Sequence, residues 1–312
     1  ARRLADSDPL QRRGKAPLGH ALAQTGAMLA GGFPVNFLLS FQVASACRSA
    51  DYNGERRVCD DGAKCDCGED AFFIATPTER TAAIGIADGV GGWRSRGIDA
   101  GAFAWELMRH CEAVAEANPP SPPSRVGIDD PVSVLRRAFA RLWTVPVPVK
   151  GSATACIAQL DRNTGELSVA NLGDSGLIVL RNGSVILATE PQHHAFNFPF
   201  QIAVMHNGDH GEDGADHADT YTTRVEPGDL IILMTDGVLD NIPVQAIVDE
   251  LRGLPDADPE TISTMIVDAA RERSMRKDFD SPFSIAARCA GLDFPRQGKE
   301  DDITVVVGRV EA

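Results

Sequence analysis

Four short acidic motifs beside apolar runs carry the residues best suited to chemistry: Gly68-Glu69-Asp70, Ala87-Asp88-Gly89-Val90-Gly91-Gly92, Met234-Thr235-Asp236-Gly237-Val238-Leu239-Asp240 and Asp301-Asp302-Ile303-Thr304. Carboxylates in an apolar setting are costly unless a cation pairs them. A hard divalent ion with oxygen ligands is the usual partner, so the four motifs read as one metal centre. Mg²⁺ or Mn²⁺ suits a few aspartates and a backbone carbonyl, whereas zinc is a poor fit. Two such ions, about 3.5–4 Å apart, make a nucleophile of a bridging water and stabilise both the attacking and leaving oxygens of a phosphoryl transfer. Nothing in the chain resembles the phosphate loop of a Cys-x5-Arg phosphatase, a Walker-A loop or a nucleophile elbow, which favours attack by water over a protein nucleophile.

Each motif needs an element to carry it. Ala71 to Ala75 and Thr81 to Ala87 are apolar runs either side of the turn residues 76–80, the pattern of a hairpin. Such a hairpin lays Asp70, at the entry of one strand, beside Asp88, at the exit of the next. Phe103, Leu107, Cys111 and Val114 recur at helical spacing, as do Leu135, Ala138, Phe139 and Leu142 behind Asp130-Pro131. Ala153 to Val185 reads as an antiparallel meander with turns at Asn163-Thr164-Gly165 and Asn182-Gly183. Pro191 to Asp219 reads as a long irregular loop, functional or mobile. Tyr221 to Val225 and Leu230 to Thr235 are expected strands. Val244 to Leu251 and Pro259 to Ser274 are expected helices, Ser281-Pro282 opens a third, and Ile303 to Val310 closes on a strand. The pattern predicts an α+β fold: a four-layer α/β/β/α sandwich of two mainly antiparallel sheets flanked by helices. Residues 36–312 form one expected domain behind an N-terminal extension, 1–35.

The 312 residues are 43% hydrophobic, which suits a globular protein, and the formal net charge of -14 opposes nucleic-acid binding. Seven cysteines at irregular spacing argue for reduced thiols and an intracellular protein; Cys59, Cys65 and Cys67 cluster without a second pair to complete a zinc site. The uncharged stretch from Ala21 to Cys47 is broken by Gln24, Gly31, Gly32, Pro34, Asn36 and Gln42, so it predicts no transmembrane helix; Phe37 to Ser45 reads as a first strand. Ala1-Arg2-Arg3 with Arg12, Arg13 and Lys15 suits the remnant of an organellar presequence. Trp93, Trp105 and Trp143 read as packing aromatics.

The ordered set Glu69-Asp70, Asp88-Gly89 followed by Gly91-Gly92, Gly151-Ser152-Ala153-Thr154, Asn171-Leu172-Gly173-Asp174-Ser175, Thr235-Asp236-Gly237 and Asp301-Asp302-Ile303-Thr304 resembles the metal-dependent type 2C serine/threonine protein phosphatases, over roughly Phe37 to Val310. Cys67-Gly68-Glu69-Asp70-Ala71, the run Gly85 to Trp93, and Gln192-His193-His194 with Phe196-Asn197 are similar to the organellar branch that includes the mitochondrial phosphatase of coenzyme Q biosynthesis. The resemblance implies hydrolysis of phosphoserine and phosphothreonine on phosphorylated protein substrates, by direct attack of a water bridging two Mg²⁺ or Mn²⁺ ions, in a mitochondrial setting, with plastid or cytoplasm as alternatives. It implies that Asp88 bridges both ions, that the Gly89 carbonyl binds one, and that Asp236 and Asp301 complete the second ion's shell. Glu69 and Asp70 match the family's acidic pair, one as ligand and one through water. Asp174 and Asp240 match the positions of a third, weaker ion; both also suit turn capping.

Two positions depart from the family pattern. Val90 stands where the family often has a histidine that would protonate the leaving alkoxide, so the acid must be a metal-bound water or another group. The phosphate-gripping arginine's register falls on Cys65, leaving Lys64 either as a substitute point charge or as a solvated lysine. His193 and His194 are expected to shape substrate choice beside the cleft rather than bind metal, because oxygen ligands complete the centre. His206, His210 and His217 fall in the acidic part of the long loop. A small-molecule phosphomonoesterase and a phosphatase-fold binding or scaffold protein with little turnover are the rival readings.

Overall fold

The strand Ile303–Glu311 explains why two sheets must stack. Val306 and Val310 point to one face and Ile303, Val305 and Val307 to the other, and all five are buried. Period-two alternation with both faces apolar needs a layer on each side. The computed structural model describes residues 38–50, 57–58, 64–65, 67–75, 78, 80–117, 130–144, 149–205 and 211–312, with 57–58 and 64–65 by backbone alone. These belong to the compact unit Asn36–Ala312. The expected extension over 1–35, and with it the presequence remnant, lies outside the described residues. No helix among them is long and apolar enough to cross a membrane.

In chain order the strands are β1 (Ser40–Arg48), β2 (Arg57–Val58), β3 (Lys64–Cys65), β4 (Asp70–Ala75), β5 (Thr81–Asp88), β6 (Gly151–Ala153), β7 (Ala155–Asp161), β8 (Glu166–Leu172), β9 (Gly176–Arg181), β10 (Ser184–Ala188), β11 (His193–Ala195), β12 (Phe198–Pro199), β13 (Ile202–Val204), β14 (Asp219–Arg224), β15 (Leu230–Met234) and β16 (Ile303–Glu311). The helices are α1 (Ala100–Glu116), α2 (Pro131–Leu142), α3 (Asp236–Leu239), α4 (Val244–Arg252), α5 (Pro259–Ser274) and α6 (Pro282–Cys289). One sheet runs β1-β16-β15-β9-β10 and the other β14-β8-β7-β5-β4, with every pairing antiparallel. Between them Ile84, Ile86, Leu160, Leu177, Leu233 and Val306 form the central core. Phe103, Leu107 and Leu135 of α1 and α2 cover Phe73 and Ile157 on one outer face, while Ile262 and Ile266 of α5 cover Ile232, Val305 and Val307 on the other. The four-layer α/β/β/α sandwich is thus as expected. Each fully buried side chain of this size contributes about 1.5–3 kcal/mol.

Helix starts follow local capping. Asp99, Asp130, Asp258 and Ser281 accept from the backbone N–H of Ala102, Ser133, Thr261 and Ser284, and Pro131, Pro259 and Pro282 sit at first helical positions. Of the tryptophans, Trp93 is buried, and Trp105 and Trp143 pack against the α1/α2 core.

Three expectations need correction. The run from Ala153 to Val185 is no single meander: β7 pairs with β8, but β9 lies in the opposite sheet between β15 and β10. Leu172 and Gly176 are joined by a corner that crosses the sandwich, which a short link can also do when it runs between layers. The described residues of 191–219 are less irregular than their composition suggests, with β11 paired to β12 and β13 to β6. Seven reduced thiols are also ruled out, because Cys47 and Cys67 form a disulfide with Cα atoms 5.1 Å apart. Cys47 lies near the end of β1 in one sheet and Cys67 just before β4 in the other, so the stacking of the two sheets brings together two residues of no suggestive spacing.

The corner depends on Gly173, whose φ of +101° is left-handed and whose Cβ would lie 2.6 Å from the Phe200 carbonyl oxygen. Gly173→Ala is therefore expected to destabilise the protein by more than about 1 kcal/mol, read as a lower urea midpoint at unchanged slope.

Candidate metal centre

The site gathers where strand ends from both sheets meet. In the β4/β5 hairpin Asp70 pairs directly with Asp88, as the turn spacing predicts. Beyond β5 the chain is pinned on both sides: Asp88 N–H donates to Thr154 Oγ1 at 3.0 Å, Gly89 N–H to the Glu69 carbonyl at 3.1 Å, and Val90 N–H to the Ser152 carbonyl at 3.0 Å. A Cβ on Gly89 would meet the Ala100 carbonyl oxygen at 2.7 Å, so only glycine lets the start of α1 approach this closely.

Asp236 opens α3 one residue past Thr235, at the end of β15. The Thr235 hydroxyl donates to Asp70 Oδ2 at 2.9 Å and accepts the Thr304 N–H at 3.0 Å, tying Asp70 to the opposite sheet. Asp301 and Asp302 precede β16 and have different work. Asp302 accepts the N–H of Glu69 and of Ala50, each at 2.7 Å, and fixes the turn that presents Glu69. Gly68 faces it with φ +64°, and a Cβ there would lie 2.1 Å from Asp302 Oδ1. Glu69 accepts Arg94 Nε at 3.0 Å.

Carboxylate oxygens of Asp88, Asp174 and Asp236 all lie within 4.8 Å of one another. Asp174 arrives from the Gly173 corner, which Gln192 clamps by exchanging two hydrogen bonds with Gly173. One oxygen each of Asp70, Asp174 and Asp236 is buried with no protein donor. Convergent, orphaned, oxygen-only groups fit a hard divalent cation such as Mg²⁺ or Mn²⁺.

Lysine 299 is a feature the sequence reading missed. Its Nζ lies 2.5 Å from Asp236 Oδ2, 2.6 Å from Asp240 Oδ2 and 3.0 Å from Asp301 Oδ2. No motif flags it, since only the turn before β16 brings it back over α3. Arg94, also missed, follows the Gly91-Gly92 motif in the short 3-10 helix Gly91–Arg96. The side chain of Lys64 lies outside the described residues. The adjacent histidines diverge. His193 Nε2 meets Asp174 Oδ2 at 3.1 Å, whereas His194 pairs with Asp213 at 2.9 Å and stacks on Phe200. His217 accepts the Gly214 N–H; His206 and His210 lie outside the described residues.

Burial drives the electrostatics. It raises Asp88 well above the ordinary carboxylate range, reinforced by the charges of Asp236, Asp70 and Asp301. Asp70 rises the same way, through burial and then the charge of Asp302. Burial pushes Asp240 up to about 7 and Asp301 to about 6 even though Lys299 opposes it. At Asp236 burial also acts upward, but the charge and hydrogen bond of Lys299 outweigh it and hold the carboxyl low. The Asp174 hydrogen bond raises His193.

The family profile described as Stage II sporulation protein E (SpoIIE) matches residues 78–311. The chain belongs to the SpoIIE/PP2C-type protein phosphatase family. The "Protein phosphatase PTC7 homolog fig" of Drosophila ananassae is 40% identical over 253 residues, covering 78% of this chain and 74% of that one. A solved structure of the photosystem II phosphatase PBCP matches with TM-score 0.71 and 31% identity, over 88% of this chain and all of the other. The catalytic domain of the serine threonine protein phosphatase PstP, solved with 2 manganese ions, shares the fold at TM-score 0.53 and 14% identity, over 88% of this chain and 100% of that one. The molecule described here accordingly has the type 2C fold of that protein phosphatase family.

The raised carboxyls give this phosphatase a pH signature without metal. Unfolded aspartates titrate near 4, so the proton bound more tightly in the fold stabilises it below that pH and ceases to do so as pH climbs through the folded values of about 6 and 7. Asp236, held low, acts in the opposite sense but only below about pH 4. In EDTA the melting temperature is expected to fall between about pH 5 and 8, and the gain from Mn²⁺ to grow over the same span. Differential scanning fluorimetry reads both; an EDTA melting temperature that climbs with pH would contradict the assignment.

Proposed function

We propose that this phosphatase hydrolyses phosphoserine and phosphothreonine esters of proteins by direct attack of water at two Mg²⁺ or Mn²⁺ ions. The convergence of Asp88, Asp174 and Asp236, with buried oxygens lacking any protein donor, carries the reading. Asp88, Asp236 and Asp301, with the Gly89 carbonyl and the Glu69-Asp70 pair, would hold the ions. Bound there, the ions supply Lewis acidity that activates water and offsets the charge developing on the phosphoryl group. The chain's contribution is a rigid frame: Thr235 orients Asp70, Thr154 grips the Asp88 backbone, and Asp302 fixes Glu69.

Arg94, 3.0 Å from Glu69 and 41% exposed in its side chain, brings a guanidinium to the rim of the centre. Its planar fork suits phosphate better than a lysine point charge, so Arg94 takes the gripping role that the sequence left to Lys64. Val90 supplies no proton, which leaves the leaving alkoxide to water. The likeness of Cys67 to Ala71 and of Gln192 to Asn197 to the organellar branch supports a mitochondrial setting with phosphoproteins as substrates.

Phosphate release from a phosphothreonine peptide is expected with Mn²⁺ and not with EDTA. Asp88→Ala should lower it more than about 100-fold, while its metal-free melting temperature stays level or rises because carboxylate repulsion is relieved. No release with any divalent ion would favour the scaffold reading; release from small phosphomonoesters alone would favour the phosphomonoesterase. A separate assay on Arg94→Ala should give a higher KM with a smaller change in kcat.

A further inference from the structure

We infer that Lys299 is a resident cation of the metal centre, and that its ammonium takes the charge-neutralising place of a third divalent ion. This inference rests on the two-ion reading above. The resemblance that assigns two ions to the Asp88 set assigns a third, weaker one to Asp174 and Asp240. Both of those carboxylates already have protein partners: Asp240 Oδ2 accepts Lys299 Nζ at 2.6 Å, and Asp174 Oδ2 meets His193 Nε2 at 3.1 Å. Lys299 also reaches Asp236 and Asp301 within 3.0 Å, so one ammonium spans three acidic motif residues.

The placement is built into the backbone. Asn241, fully buried, donates Nδ2–H to the Lys299 carbonyl at 2.8 Å and accepts the Lys299 N–H at 2.9 Å. Asn241 itself is fixed by a second Nδ2–H bond to the Gly237 carbonyl, one residue past Asp236. Preceding Lys299, Gly298 donates to the Arg276 carbonyl at 2.9 Å and packs where a Cβ would lie 2.1 Å from the Arg273 carbonyl oxygen. The ammonium then passes 5.0 Å from the Phe283 ring centroid, a further favourable cation contact. A solvated surface lysine has none of these restraints, and holding one here costs desolvation that only the three carboxylates offset.

A lysine bonded to Asp240 Oδ2 competes with a divalent ion for that oxygen; Asp174 Oδ1 and Asp236 Oδ1 have no protein donor, so the competition falls at Asp240. A third ion held between Asp174 and Asp240 needs the Asp240 oxygen that Lys299, covalently attached and always present, already occupies. Two exchangeable ions and one permanent cation thus share the work of offsetting the carboxylate charge of the centre.

Equilibrium dialysis against Mn²⁺ with metal analysis tests the count on the full chain. The wild type is expected to saturate at two ions, and Asp240→Asn to leave that count unchanged. Lys299→Met, which keeps the bulk and removes the charge, is expected to gain a third ion, and the double variant K299M/D240N to lose it again. A wild-type count of three, or a count that drops by one in Asp240→Asn, would overturn the inference even if Lys299→Met fails to fold. A wild-type count of none or one would instead refute the two-ion centre itself, so the two failures are distinguishable.

Discussion

Mutual repulsion among buried carboxylates is the constraint around which this structure is arranged. Seven acidic side chains, Glu69, Asp70, Asp88, Asp174, Asp236, Asp240 and Asp301, converge where strands of two sheets end. No packing of apolar groups compensates for this. The fold manages it by giving most of these carboxylates a fixed protein contact while leaving selected oxygens without one. Thr235 takes one oxygen of Asp70, Lys299 one each of Asp236, Asp240 and Asp301, and His193 one of Asp174. The remaining oxygens of Asp70, Asp174 and Asp236 lack protein donors, and that residual demand is what a divalent cation answers.

Adjacent residues of the same type do different jobs in this frame. Asp301 faces Lys299 and the centre, whereas Asp302 caps backbone N–H groups of Glu69 and Ala50 and acts through the position of Glu69. His193 meets the centre through Asp174, while His194 is locked by Asp213 and Phe200 into the loop that supports it. Two carboxylates of one motif would otherwise compete for the same small space. Turning one of them toward amide hydrogens converts a repulsive neighbour into a support.

Much of this was legible in the sequence, and the exceptions have physical reasons. The hairpin that sets Asp70 against Asp88, the helix starts at Asp130 and Ser281, and the two-sheet sandwich follow from alternation and local hydrogen bonding. What escaped was set by distance through space. The crossing of the chain between sheets at Gly173 looks like any short hairpin link, because link length does not say which layer receives the next strand. The Cys47 and Cys67 bond follows from the stacking of two different sheets, and Lys299 sits in no motif at all. Residues outside recurring patterns are visible only once the turn that carries them is built.

The pairing of β1 with β16 has a consequence for how the protein comes into being. The bond from Glu69 N–H to Asp302 spans 233 residues, and the centre draws on segments spread along the chain between them. Contacts of such long sequence separation close late and slowly. An emerging polypeptide can build the α1-covered hairpin early, yet it carries an incomplete set of carboxylates until the last strand is added. Metal capture therefore rewards only the finished fold, and stabilises that state by mass action without assisting the intermediates that precede it.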